Sequence, residues 1–89
     1  MREVYGIAAF RSRQQVLYFE DALRRAGLPV AVMTTPRAVA MGCGLSVRFR
    51  LEDADRVRQV LARSNPGNLI GLYRVEQGGS RPVVTPIGK

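Results

Sequence analysis

The chain has 89 residues, 46% of them hydrophobic and 24% charged, which is enough apolar material for one buried core and too little length for two. Fourteen basic residues against seven acidic ones give a formal charge of +7, which would attract nucleic acid, phosphate or an acidic partner, yet the thirteen arginines and Lys89 are spread out with no dense run. Having no histidine and one cysteine, the chain lacks the usual ligands of zinc and iron–sulfur sites, the base of a hydrolase triad and any internal disulfide.

A reducing, cytoplasmic setting is therefore expected, with no cofactor and no metal. The start, Met1-Arg2-Glu3-Val4, has no apolar signal core, and no run of about 18 apolar residues occurs, so neither secretion nor a membrane association is expected.

Residues 3–10, with Val4, Tyr5, Ile7 and Phe10, read as a first strand in which Gly6 marks a close approach. Ser12 and Gln15 have the spacing of a capping box, so a helix should follow. Its apolar stripe is Val16, Phe19, Leu23 and Ala26, widened by Leu17 and Ala22. Gly27 suits the left-handed residue that closes a helix, and Pro29 prevents continuation.

The β-branched stretch 30–34 predicts a second strand. Thr35 then caps a helical turn or two opened by Pro36, and Gly42-Cys43-Gly44 follows. Residues 45–51 alternate strictly: Leu45, Val47, Phe49 and Leu51 on a core face, Ser46, Arg48 and Arg50 on a wet one. Asp53 is placed to cap a second helix whose face is Ala54, Val57, Val60 and Leu61, stopped by Asn65-Pro66-Gly67. Glu52, Asp53 and Asp55 sit at its positive end and Arg63 near its negative end, the order the helix dipole favours. A fourth strand over 69–76 ends at Gln77-Gly78-Gly79-Ser80.

The order β-α-β-β-α-β predicts an α+β, ferredoxin-like fold: a four-stranded antiparallel sheet with two helices on one face. Residues 1–76 make this single domain. Residues 77–89, with Pro82, Pro86 and Gly88 around Val83-Val84-Thr85, form a tail expected to be mobile, or to add to a sheet edge in a homodimer.

Cys43 falls on the connection between the second and third strands, about ten residues long and longer than a hairpin requires. Gly42 and Gly44 leave room for a partner to approach the sulfur, and Arg37 and Arg48 would stabilise a thiolate, while the end of a neighbouring helical turn would oppose it. Against this, Cys43 shares parity with Leu45, Val47 and Phe49, which would bury it as an inert core thiol. From the residues alone both placements stay open.

Pro36-Arg37, then Cys43-Gly44-Leu45 and Arg48-Phe49, together with Phe10-Arg11-Ser12 and Ala26-Gly27-Leu28-Pro29-Val30, resemble the small selenium/sulfur carrier protein-like family over roughly residues 3–76. The resemblance implies that Cys43 holds a persulfide or selenide and relays it from a donor protein to an acceptor protein. Pro36, Gly42 and Gly44 would shape the loop, and Arg37 and Arg48 would hold the anion. Neither the Cys-Pro-x-Pro motif of other small sulfur-transfer proteins nor a Cys-x-x-Cys pair is present, so the chain is expected to act as a stoichiometric relay rather than an enzyme.

Two other classes share the predicted architecture. A nucleic-acid-binding module would need stacking rings on the central strands, and aligning its signature on Gly42 and Gly44 puts Cys43 and Leu45 where aromatics belong, leaving Tyr5 or Tyr73 to supply one ring. A regulatory or assembly module would dock its basic face or its tail on a partner enzyme.

Overall fold

Alternation and punctuation translate into five strands and two helices. In the computed structural model, which describes residues 3–39 and 44–87, the order is β1 (Glu3–Phe10), α1 (Arg13–Arg25), β2 (Val30–Thr34), β3 (Leu45–Phe49), a 3-10 turn (Leu51–Asp53), α2 (Ala54–Ser64), β4 (Leu69–Gln77) and β5 (Val83–Pro86). The sheet is antiparallel throughout, in the order β2-β3-β1-β4-β5. Neither helix is long and apolar enough to cross a membrane.

Five strands replace the expected four. Val83–Pro86 pairs with β4 through Val75↔Val84 and Arg74↔Thr85, in the same chain. Proline is tolerated there because β5 is an edge strand and one side of its backbone needs no ladder partner.

The principal core lies between the sheet and the helices. Val16, Phe19 and Leu23 of α1 and Val57 and Val60 of α2 pack with Ala8, Phe10, Val47 and Phe49 in one cluster, which puts both helices on the same face. Phe10 and Phe19 meet with ring centroids 5.5 Å apart. Gly6 is required by this packing, since a Cβ there would overlap the Phe49 ring. Leu17, expected in the α1 stripe, is instead 48% exposed, because at about 100° per residue it lies past Val16 on the side away from Phe19 and Leu23.

Both helix starts differ from expectation. Ser12 and Asp53 occupy the N-cap positions, but neither side chain bonds to a helix amide. The Asp53 carboxylate is buried and instead accepts a hydrogen bond from Arg50 Nε at 3.0 Å. The helix ends match the sequence pattern: Gly27 has φ +84° after α1, and Asn65 closes α2 in the left-handed region with φ 47°.

The second face of the sheet is not wet. Tyr5, Ile7 and Val75 form a small buried cluster there, with Met33, Tyr73 and Val84 packed against it. Ser46, expected to be solvated, is fully buried, and Arg48 is half-buried with its guanidinium 4.0 Å from the Tyr5 ring centroid. The apolar run Tyr5-Gly6-Ile7-Ala8-Ala9-Phe10 carried this information, because a strand covered on both faces reads as continuous rather than alternating.

Candidate functional site

The connection from β2 to β3 runs over residues 35–44, and the residues at its two ends define a closed neck. Thr34 and Leu45 are the last register partners of the ladder. One step further, Thr35 N–H donates to Gly44 O at 2.8 Å. The Thr35 and Ser46 hydroxyls share a hydrogen bond of 2.7 Å beneath that pair, which satisfies the buried Ser46 side chain.

Thr35 therefore acts through β3 rather than as a helix cap. On the β2 side, Val39 N–H donates to Pro36 O at 2.9 Å in a turn, and Val39 is buried. On the β3 side, Gly44 adopts φ +87° with open space around it, so backbone conformation, not crowding, calls for glycine. Gly42 and Cys43 lie outside the described residues.

The two arginines expected at the thiol have different situations. Arg37 is exposed, two residues past the neck, and has no hydrogen-bond or ion-pair partner among the described residues. Arg48 sits four positions along β3 from Gly44, about 13 Å away at strand rise. Its guanidinium lies 3.5 Å from Glu3 Oε2 and over Tyr5, at the far end of β1. Arg50 is likewise engaged: its hydrogen bond to Asp53, with the charges of Asp53 and Glu52, raises its pKa above the usual arginine value.

Thr35 and Ser46 are the residues at this site that sequence reasoning did not assign. Their signal was a hydroxyl on each strand flanking the loop, one of them at a position that alternation had marked as outward. A cleft of about 750 Å³, lined by Leu61, Ala62, Leu69, Tyr73 and Ile87, lies between α2 and the β4–β5 edge, across the sheet from this loop. The second-face geometry also bears on the stacking platform: Tyr5 is 4% exposed, donates its hydroxyl to Gln77 Oε1 at 3.2 Å and is covered by Arg48.

Among curated proteins and among solved structures, nothing matches the chain. The family model described as "Putative Se/S carrier protein-like" matches residues 5–71, a span that runs from β1 through the closed loop and α2 into β4, and the chain belongs to that family.

Proposed function

We propose that the protein carries sulfur or selenium on Cys43 and relays it between a donor and an acceptor protein. The observation that carries this reading is the family match over residues 5–71, which contains the chain's only cysteine on a ten-residue connection with a hydrogen-bonded neck. A rigid sheet holding a long loop is a common way to present a reactive group.

The chemistry is thiol–persulfide exchange. The Cys43 thiolate attacks the terminal sulfur of a donor persulfide, a sulfur–sulfur bond forms to Cys43, the donor's own bond to that sulfur breaks, and the donor leaves as a thiolate. Delivery reverses the roles, with the acceptor nucleophile attacking the terminal atom and Cys43 leaving as thiolate. The transferred sulfur stays at the same oxidation level throughout, so no external oxidant or reductant is needed. Selenium would follow the same path as a Cys43-bound selenide.

Arg37 is the better placed of the two arginines to hold the anion, being free of ion pairs among the described residues, and Arg48 contributes at longer range. Pro36, Gly42 and Gly44 shape the loop. The strand order β2-β3-β1-β4 with both helices on one face supports a ferredoxin-like arrangement, to which β5 is an addition. A persulfide donor, followed by intact-mass measurement, tests the proposal: wild-type protein should gain one sulfur atom and Cys43→Ser should gain none.

A further inference from the structure

Charge is sorted along the strands. Antiparallel pairing puts the end of β1, the start of α1, the neck of the loop, the end of α2 and the start of β4 at one end of the molecule, consistent with Arg11 N–H donating to Asn68 O and Tyr18 Oη to Ser64 O. Continuing the β1–β3 register two residues beyond Ala9↔Ser46 brings Arg11 level with Gly44. This loop end carries Arg11, Arg13, Arg37 and Arg63, all exposed. None of the four guanidinium groups has an ion-pair or hydrogen-bond partner among the described residues.

No side-chain carboxylate stands at that end among the described residues. All seven acidic residues, Glu3, Glu20, Asp21, Glu52, Asp53, Asp55 and Glu76, lie towards the other one. There Arg24, Arg25, Arg48, Arg50, Arg58 and Arg74 are each paired with one of them. The first turn of α1 has no acidic residue, whereas that of α2 holds Asp55. β1 alone spans about 27 Å, well beyond a screening length of about 8 Å in physiological salt. The ends therefore act as separate electrostatic surfaces.

We propose that this loop end is a docking surface for a protein face rich in carboxylates. Leu17, 48% exposed and one helical turn from Arg13 on the same side of α1, supplies the apolar contact that protein interfaces place beside arginines. Nucleic acid fits less well, because of the two second-face rings Tyr5 is buried under Arg48 and Tyr73 is half-buried against the same cluster. The choice of a protein partner rests on the carrier reading, in which donor and acceptor must reach the loop; the charge sorting does not.

Fluorescence anisotropy with a labelled oligoglutamate, and separately with oligouridine, tests this on the full chain. One variant replaces Arg11, Arg13 and Arg37 by Gln; a control of equal charge replaces Arg25, Arg56 and Arg81, exposed residues away from the loop end. The first should bind oligoglutamate about fivefold more weakly than wild type, as the loss of three exposed charge contacts implies, and the control much less so. Equal losses in the two variants would overturn the proposal, since net charge alone would then explain binding. Tighter binding of oligouridine, lost in the same variant, would also overturn it in favour of nucleic acid. Cys43→Ser should bind oligoglutamate like wild type, so a failed carrier reading would appear as a missing sulfur adduct with docking intact.

Discussion

Three positions determine how the loop is held. Gly44, at φ +87°, tolerates a Cβ sterically but not conformationally, so Gly44→Ala should cost about 1–2 kcal/mol in urea unfolding, with Gly44→Asn recovering part. The hydroxyl pair is a second test. Ser46→Ala and Thr35→Val should each destabilise, and their double-mutant cycle should return a coupling of about 0.5–1.5 kcal/mol. At the core, Gly6→Ala drives a methyl into the Phe49 ring and should cost about 1–3 kcal/mol by overpacking. Gly6 and Gly27 were legible because glycine has few reasons to interrupt such patterns. Ser46 was not: strict alternation in residues 45–51 assigns it to solvent, and only the doubly covered character of β1 reveals the second cluster. Ser12 and Asp53 show the limit of capping motifs, which locate the helix start but not the partner the side chain chooses.

Strands and helices with long, punctuated patterns fell where the sequence placed them, β1, β2 and α1 among them, because apolar period and Gly or Pro boundaries agreed. β5 escaped for a physical reason. Val83, Val84 and Thr85 favour a strand, but three residues between Pro82 and Pro86 are too short a run to mark one, and its stability comes from tertiary contacts, Val84 against Val75 and Ile87 against the helix-side core. Removing residues 79–89 should therefore lower stability by about 2 kcal/mol, the order expected for two half-buried aliphatic side chains, as read by the urea midpoint. It should also expose the β4 edge and make sedimentation concentration-dependent. Unchanged stability and a monomer at all concentrations would show that β5 contributes nothing to the sheet.

For the molecule as a whole, an uncharged functional description fits poorly: the pairing of acidic residues at one end leaves the loop end with unmatched arginines, the chemistry a thiolate and an acidic partner would both use. The candidate site is read from residue types alone, Cys43 between glycines and Arg37 after Pro36, and Cys43 lies outside the described residues. Its neck was not legible, since it depends on a hydroxyl pair eleven residues apart in sequence and adjacent only through β2–β3 pairing. The most direct test of the account is intact-mass spectrometry of native protein after incubation with a persulfide donor. Wild-type chain should gain a single sulfur atom, removable by an acceptor thiol and absent in Cys43→Ser. A native chain that gains no sulfur, and whose thiol alkylates only after denaturation, would contradict it.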